Sequence, residues 1–387
     1  MSSETQLTNM AAADDQHDKS PPLWPPPEFD NNHYRLLPGG YKFLLQTPKV
    51  VIIFAMVALS CLMLYHSSLS IRFNPFAATM HRHSSKKLDE LKNILKEAST
   101  NSTTVIITTI NDAWAEPNSM FDLLLESFKI GNQTERFLNH LVVVALDQKA
   151  YTRCVKLHPH CYNLRTDGVD FSEEAYFMAP DYLKMMWRRI DFLRTILTLG
   201  YNFVFTDADI MWFRDPFPHF DKDVDFQIAC DHFGGNTSDL NNQPNGGFTY
   251  VKSNKETVAF YKYWFDSRLT YPGLHDQDVF NKIKFDPFIR DNGLRIRFLD
   301  TAYFGGFCEP SRDLDKVCTM HANCCAGLDN KVHDIGIMLQ DWQKYKRLLG
   351  NETVVDRTVS WTVPQSCRGS LERPRAPKKD GDDGSKT

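Results

Sequence analysis

The sequence lacks several features that would point to common classes of protein. Its 44 basic and 48 acidic residues leave a formal net charge of −4, so there is no basic excess and we expect no nucleic-acid partner. No G-x-G-x-x-G follows the first strand-like segment, Val105–Ile110, and a dinucleotide cofactor is therefore not indicated. No internal repeat is visible. What is present, 42% hydrophobic and 12% aromatic residues, is enough for a globular core.

One long segment lacks charged residues altogether. The 22 residues from Val50 to Ile71 contain no Asp, Glu, Lys or Arg, which is long enough to span a bilayer. The segment starts too far along the chain for an ordinary cleaved signal peptide, and a buried core helix is the alternative interpretation. We predict a single transmembrane anchor over residues 49–71.

The orientation of this anchor is indicated by glycosylation sequons. Basic residues flank the segment on both sides, so the positive-inside rule does not decide. Four N-x-S/T sequons all follow the anchor, although such sequons also occur by chance. Their asparagines are Asn101, Asn132, Asn236 and Asn351. We expect a short cytosolic tail and a large luminal domain.

A zinc site is the alternative to disulfides for the cysteines of this chain. The cysteines lack the paired C-x₂-C spacing that is typical of such a site. Cys61 lies in the apolar segment, and the other eight of the nine cysteines follow it. An even number beyond the anchor is compatible with disulfides in an oxidising lumen. Eight cysteines allow 105 connectivities, so the pairing stays undetermined.

Composition divides the chain into five parts. Residues 1–48 are polar and proline-rich, which predicts a disordered tail. After the anchor, residues 72–100 are Lys-rich with leucines at helical spacing, and we interpret them as a stem. The luminal domain is predicted over residues 101–367, and residues 368–387 form a second disordered tail.

Strand and helix signals alternate through the presumed domain. A helix is predicted around Leu123–Phe128, and a long amphipathic one opens at Pro180 and stops at Gly200. Alternation of this kind predicts an α/β domain with a mostly parallel central sheet. The predicted strands are Val105–Ile110, Leu141–Leu146, Tyr201–Phe205, Phe226–Cys230 and Gly247–Val251.

The most informative motif is Asp207-Ala208-Asp209, which follows the apolar run Tyr201–Phe205. Ligands of open α/β sheets bind at the carboxyl ends of strands. Residues two apart on an extended segment point the same way, so both carboxylates can approach one ion. Oxygen ligands suit Mn²⁺ or Mg²⁺, which bridge readily to phosphates. The alternative is a pair of solvated turn residues.

Seven short segments between Val105 and Leu348 carry more information together than any one alone. They resemble the plant nucleotide-diphospho-sugar transferase family, which is grouped with glycosyltransferase family 77. The resemblance implies a GT-A (Rossmann-like) fold, a nucleotide-sugar donor, a Mn²⁺-type metal and retention of anomeric configuration. The segments are Ala145-Leu146-Asp147, Cys161-Tyr162, Met185-Met186-Trp187-Arg188-Arg189, Phe205-Thr206-Asp207-Ala208-Asp209, Trp212-Phe213-Arg214-Asp215-Pro216, Asn245-Gly246-Gly247-Phe248 and His275-Asp276-Gln277-Asp278.

The same resemblance implies further donor and metal residues. His321 matches a third metal ligand and Lys331 a group that contacts the phosphates, although a structural histidine and a solvated lysine are the alternatives. Asn245 and Gly246 lie beside the donor sugar in the resemblance. Their local sequence predicts a tight turn before the strand at Phe248.

Asp276 and Gln277 are similar to the segment that lines the reacting centre in retaining GT-A enzymes. An acidic loop capping a helix that starts near Val279 would explain the same residues. Retaining enzymes of this fold seldom show an obvious nucleophile, so we expect front-face substitution, with Asp276 as nucleophile the less favoured variant.

Two weaker donor hypotheses concern the long helix and the first strand. Lys184, Arg188 and Asp191 share one helix face, which predicts a solvated salt-bridge ladder or, alternatively, contact with the donor phosphates. Thr109 and Asn111 stand at the end of the first strand, where they could touch the nucleotide base.

The combined expectation is a single-pass type II enzyme of the Golgi membrane with its catalytic domain in the lumen. It would be a metal-dependent glycosyltransferase that moves a pentose or galactose from a nucleotide-diphosphate donor, such as a UDP-sugar, to a cell-wall polysaccharide or glycoprotein. Homo- or hetero-oligomers are possible. The alternatives are a catalytically silent scaffold of a Golgi complex and a metal-dependent nucleotide-sugar hydrolase.

Overall fold

The computed structural model describes residues 48–71, 75–164, 178–349 and 359–372. The predicted N-terminal tail up to residue 47, the final residues 373–387 and Asn351 lie outside the described residues. The chain divides into two units, one up to Asn74 and one from Pro75 onward.

The first unit contains one described helix, α1 (Pro48–Ile71). Side chains along it that the structure describes, such as Phe54 and Met63, are exposed. Within the described ranges, no helix is both long enough and apolar enough to cross a membrane. The predicted anchor falls on α1, and several side chains at both ends of this helix lie outside the described residues.

The second unit alternates helices and strands as predicted. Its described helices are α2 (Pro75–Ala98), α3 (Asp112–Ala115), α4 (Met120–Ile130), α5 (Gln148–Leu157), α6 (Pro180–Thr198), α7 (Lys255–Ser267), α8 (Asp276–Ile283), α9 (Pro287–Asp291), α10 (Leu328–Leu349) and α11 (Gln365–Glu372). Its described strands are β1 (Thr104–Ile110), β2 (Leu141–Ala145), β3 (Cys161–Asn163), β4 (Asn202–Thr206), β5 (Ile210–Trp212), β6 (Phe226–His232), β7 (Gln243–Val251), β8 (Ile296–Phe298), β9 (Phe304–Gly306) and β10 (Thr319–His321).

A seven-stranded sheet in the order β3-β2-β1-β4-β7-β6-β8 forms the centre of this unit. Strands β3, β2, β1 and β4 run parallel, as do β6 and β8, while β7 runs antiparallel to both its neighbours. The predicted α/β class with a mostly parallel sheet is therefore confirmed. A second, three-stranded sheet has the order β5-β10-β9.

The core consists of two apolar layers, one on each face of the large sheet. Along β1, Ile106 and Ile110 belong to one layer, while Val105 and Ile107 belong to the other, because successive strand side chains point to opposite faces. Helices α4 and α10 cover the first face, and α6, α7 and α8 cover the second. Burial on both faces explains why the strands are almost continuously apolar.

The last turns of α2 pack against this core. Leu91, Leu95 and Ala98 are buried in the same layer as the apolar face of α6. The C-terminal part of the predicted stem is thus structurally part of the domain. At the other end of the chain, Arg368–Glu372 belongs to α11, so the prediction of disorder from residue 368 is wrong for these residues.

Six cysteines form three disulfides, Cys154–Cys161, Cys308–Cys324 and Cys325–Cys367. Cys230 and Cys318 are buried and free, so the eight cysteines after the apolar segment do not all pair. Two of the bridges start from adjacent residues, Cys324 and Cys325. They connect the loop after β10 to the segment after β9 and to α11.

Trp212 joins the core to the end of β4. Its side chain is fully buried and stacks on Phe128 of α4, with ring centroids 4.7 Å apart. Its Nε1 donates a hydrogen bond of 3.2 Å to Oγ1 of Thr206, the last residue of β4. The residue therefore holds the strand end that precedes Asp207.

We predict that Trp212→Ala lowers the free energy of unfolding by about 3–5 kcal/mol, because it leaves a large cavity and removes this hydrogen bond. Urea denaturation of the two proteins measures the difference. Leu269→Ala is the matched control, since the Leu269 side chain is 74% exposed and its truncation should change stability by less than about 0.5 kcal/mol. Equal stability losses for both variants would contradict the assignment of Trp212 to the core.

Candidate active site

A tight turn between the two sheets carries the Asp207-Ala208-Asp209 motif. Strand β4 ends at Thr206, and the backbone N–H of Ile210 donates to the carbonyl oxygen of Asp207 at 3.1 Å. The prediction that both carboxylates project from one extended segment is therefore wrong. They converge because the chain reverses between β4 and β5.

His321 joins the two aspartates, as the sequence predicted. It ends β10, where it pairs with Ile210, the residue after Asp209. One ligand atom each from Asp207, Asp209 and His321 lies within 4.8 Å of the others. His321 Nε2 is 3.2 Å from Oδ1 of Asp209.

The donor set of these three residues fits a divalent cation. Oδ1 of Asp209 is buried and accepts no well-aligned hydrogen bond within the described part of the chain, although His321 Nε2 lies 3.2 Å away. A buried carboxylate oxygen without a partner is costly in free energy unless a cation compensates it. Two carboxylates and one imidazole are ligands that Mn²⁺ accepts.

Lys331 of α10 lies against the same carboxylate. Its Nζ is 2.5 Å from Oδ2 of Asp209, and its side chain is only 17% exposed. Burial alone would raise the pKa of Asp209, but the positive charge of Lys331 and the contact with His321 lower it well below its usual range. Asp209 is therefore ionised at neutral pH. The resemblance implied that Lys331 contacts the donor phosphates, and this role stays a prediction.

Arg189 of α6 connects Asp207 to Asp276. Its Nη1 donates to Oδ1 of Asp207 at 2.8 Å, and its Nη2 donates to Oδ2 of Asp276 at 2.6 Å. The guanidinium also stacks over the Phe205 ring, and the side chain is 6% exposed. These two carboxylates raise the pKa of Arg189 further although burial opposes the charge.

Sequence reasoning did not assign a role to Arg189, although a signal was present. Arg189 stands three residues after Met186 and four before Leu193, and both of these are buried. It therefore falls on the apolar face of the helix rather than on the polar one. A charged residue in that position is almost always paired, and here the partners are acids from two other elements.

The electrostatics of the three carboxylates differ. Burial raises the pKa of Asp207 despite the attraction of Arg189. Burial alone would also raise the pKa of Asp276, but Arg189 and His275 outweigh this effect and lower the pKa to about 2. Burial would lower the pKa of His321, and the neighbouring Asp209 raises it instead.

Asn245-Gly246-Gly247 lies inside β7, so the predicted tight turn before the strand is wrong. The pairing of β6 with β7 is irregular here, with a register shift after Ile228. Glycine is required at 247 by close approach: a Cβ there would lie 2.7 Å from Oδ2 of Asp207 and 2.7 Å from Cε1 of His321. This glycine segment of β7 thus forms a wall beside Asp207 and His321.

Helix α8 begins at Asp276, earlier than the predicted start near Val279. His275 is the N-cap, and its Nδ1 accepts a hydrogen bond from the N–H of Gln277 at 3.1 Å. Asp276 therefore does not cap the helix, and its carboxylate is free to reach Arg189. Gln277 accepts a hydrogen bond from the N–H of Gly246 through Oε1 at 3.0 Å.

A second residue that sequence reasoning missed is Asp231, which follows the buried part of β6. Three side-chain amides donate hydrogen bonds to its carboxylate: Asn245 at 2.8 Å, Gln277 at 3.0 Å and Asn323 at 2.7 Å. The only sequence signal is an aspartate at a strand end, which is too common to single out. The amides that bind Asp231 come from three segments that are distant in sequence and meet only in the folded chain.

The other residues that were predicted to contact the nucleotide-sugar donor make contacts outside the cluster around Asp207 and Asp209. Arg188 pairs with Asp191 on the predicted helix face, whereas Lys184 pairs with Asp181, which lies outside the predicted ladder. Asn111 caps α3, accepting from the N–H of Trp114 at 3.2 Å. Thr109 is partly buried within β1. Their proposed contacts with the nucleotide stay predictions.

The sequon asparagines Asn101, Asn132 and Asn236 are exposed. Exposure permits a glycan but does not establish one, so their glycosylation stays a prediction.

Comparison with known proteins agrees with the site. The nucleotide-diphospho-sugar transferase family matches residues 136–335, which include every residue of the cluster around Asp207 and Asp209. An uncharacterized protein of Arabidopsis thaliana (At4g15970) is 54% identical over 286 residues, which cover 74% of this chain and 75% of that protein.

Two enzymes with named activities match over shorter stretches. A UDP-galactose:fucoside alpha-3-galactosyltransferase of Dictyostelium discoideum is 32% identical over 108 residues, covering 26% of this chain and 15% of that enzyme. UDP-D-xylose:L-fucose alpha-1,3-D-xylosyltransferase 3 of Arabidopsis thaliana is 23% identical over 176 residues, covering 41% and 46%. The chain belongs to the nucleotide-diphospho-sugar transferase family and is a nucleotide-sugar-dependent glycosyltransferase.

Proposed function

We propose that this enzyme is a retaining, metal-dependent glycosyltransferase of the GT-A type that uses a nucleotide-diphosphate sugar, a UDP-sugar in the first instance. The observation that carries the proposal is the group of Asp207, Asp209 and His321, in which the buried Oδ1 of Asp209 lies 3.2 Å from His321 Nε2 but accepts no well-aligned hydrogen bond among the described residues. A diphosphate leaving group needs its growing negative charge neutralised as the glycosidic bond breaks.

A Mn²⁺ or Mg²⁺ ion held by these three residues would supply that neutralisation as a Lewis acid. The chain's own residues prepare the place for it. Asp209 is kept ionised by Lys331, and Asp207 is oriented by Arg189. Lys331 is positioned to donate hydrogen bonds to the departing diphosphate, because its ammonium group already lies at the edge of the metal site.

Asp276 and Gln277 would position the donor sugar. Gln277 holds the backbone of Gly246, and Asp276 is fixed by Arg189 in the same corner of the site. The Asp276 carboxylate is 2% exposed and bound to Arg189 at 2.6 Å, which weakens it as a nucleophile. Front-face substitution is therefore the mechanism we favour, with Asp276 as an electrostatic and orienting group.

The sugar class and the acceptor are proposed from the relatives. Their names describe transfer of galactose or xylose to fucose. We propose a pentose or galactose donor and a glycan acceptor, such as a cell-wall polysaccharide or a glycoprotein. Location in the Golgi membrane, with a type II anchor over residues 49–71 and a luminal domain, and assembly into oligomers belong to the same proposal.

The test is a screen of nucleotide sugars against the purified protein in Mn²⁺, read by thermal shift and by release of the nucleotide. We expect one pentose or galactose donor to stabilise the protein and to be consumed when the acceptor is supplied. A hydrolase would release free sugar without any acceptor. A silent scaffold would release no nucleotide with any donor, and either result would overturn the proposal.

We predict that Asp209→Asn weakens Mn²⁺-dependent binding of UDP by at least about a hundredfold, because loss of a direct ligand costs more than loss of an outer-shell partner. Isothermal titration calorimetry with and without Mn²⁺ measures the effect. Asp223→Asn is the control, since Asp223 is exposed in the loop before β6 and its substitution removes the same charge. Full transfer activity in a normally folded Asp209→Asn protein would sink the metal-site proposal.

We predict that Arg189→Met lowers the free energy of unfolding by about 3–5 kcal/mol, because it leaves two buried carboxylates without their cation. The adjacent Arg188→Met is the matched control, since the pair of Arg188 with Asp191 is partly exposed and should contribute about 0–1 kcal/mol. Urea unfolding of both variants measures the difference. A larger loss for Arg188→Met would be incompatible with Arg189 as the central cation. Weakened UDP binding in Arg188→Met would support the predicted phosphate contact of that residue.

A further inference from the structure

We infer that Asp231 binds hydroxyl groups of the transferred sugar, as a specificity-determining residue of the active site. This inference rests on the proposed function, because it takes the metal-bound diphosphate as the point from which the sugar extends. It starts from the carboxylate of Asp231 and the three amides that hold it.

The carboxylate is built into a rigid position. Asn245 of β7 and Asn323, which follows β10, both donate to Oδ1, while Gln277 of α8 donates to Oδ2. Asn323 and Gln277 are fixed in turn: the N–H of Cys308 donates to Oδ1 of Asn323 at 3.1 Å, and Oε1 of Gln277 accepts from Gly246. The disulfide Cys308–Cys324 closes the loop beside Asn323.

This arrangement leaves the carboxylate of Asp231 with unused capacity to accept hydrogen bonds. An ionised carboxylate offers about four acceptor positions, and the three amides occupy three of them. The structure gives Asp231 no cationic partner among the residues that it describes. The three amides satisfy most of its hydrogen-bonding capacity but leave its negative charge without a cation. Sugar hydroxyls, which are hydrogen-bond donors, match the free acceptor position.

The position of Asp231 relative to the metal site suits a sugar ring. The backbone N–H of Gly247 donates to Oδ1 of Asn245, and Gly247 is the residue that touches Asp207 and His321. Asn245 thus separates Asp231 from the metal ligands by one side chain. A small cavity is lined by Asn245 and Asn323, which both bind Asp231, and by His321. A sugar bonded to a phosphate at the metal would be one side chain away from Asp231.

Two substitutions test the assignment: Asp231→Asn, which keeps the size of the side chain, and Asp231→Ala, which removes it. Dissociation constants for UDP, UDP-galactose and UDP-xylose are measured in Mn²⁺ by calorimetry on the full chain. We expect both variants to bind UDP like the wild type and to bind at least one of the UDP-sugars about tenfold to a hundredfold more weakly, as for loss of a hydrogen bond to a charged group. Unchanged UDP binding also shows that the metal site has folded.

Other outcomes overturn the assignment. Wild-type affinity of Asp231→Asn for both UDP-sugars would remove Asp231 from sugar recognition. Equal weakening for UDP and the UDP-sugars would assign the carboxylate a structural role in the metal site. Unchanged donor binding with slower transfer alone would assign it to the acceptor. Absence of Mn²⁺-dependent UDP binding by the wild type would instead refute the proposed function, which separates the two failures. Asp223→Asn serves as the charge control.

Discussion

The ion-pair bridge from Arg189 to Asp207 and Asp276 is the interaction on which the site depends. One guanidinium from a helix holds a carboxylate from the turn after β4 and another from the start of α8, both at hydrogen-bond distance. A lysine could not span them, because it carries a single point charge in place of a planar fork. The bridge therefore sets the distance between the metal side of the site and the side proposed for the sugar.

Around this bridge, burial and neighbouring charges act in opposite directions on the ionisation of the carboxylates. Burial disfavours every one of the charges, yet Asp209 and Asp276 are held ionised by neighbouring cations. Of these three carboxylates only Asp207 has a raised pKa, because burial outweighs the attraction of Arg189. Such a cluster is unfavourable for stability on its own and persists because the two apolar layers fix the elements that carry it. Its excess of buried carboxylate oxygens is what a divalent cation would satisfy.

Much of the fold followed from local patterns, because strands buried on both faces leave an apolar signal and an amphipathic helix leaves a periodic one. Asp207 and Asp209 were also found from a local pattern, since they follow an apolar strand. His321 and Lys331 were identified through the resemblance to a family. The geometry of the turn and the extended Asn245–Gly247 segment could not be predicted, since both depend on contacts with other elements. Arg189 and Asp231 were missed for the same reason: their partners are distant in sequence.

The adjacent bridges at Cys324 and Cys325 have a consequence for the order of synthesis. Cys325 pairs with Cys367, which follows it by 42 residues and lies near the end of the described chain. A ribosome makes the chain from the amino end, so every described strand and both aspartates of the motif exist before this partner emerges. The helix that carries Lys331 can be fastened at its start only afterwards, in the presence of an oxidant. Closure of the bridge at the start of this helix thus waits until Cys367 has been synthesised.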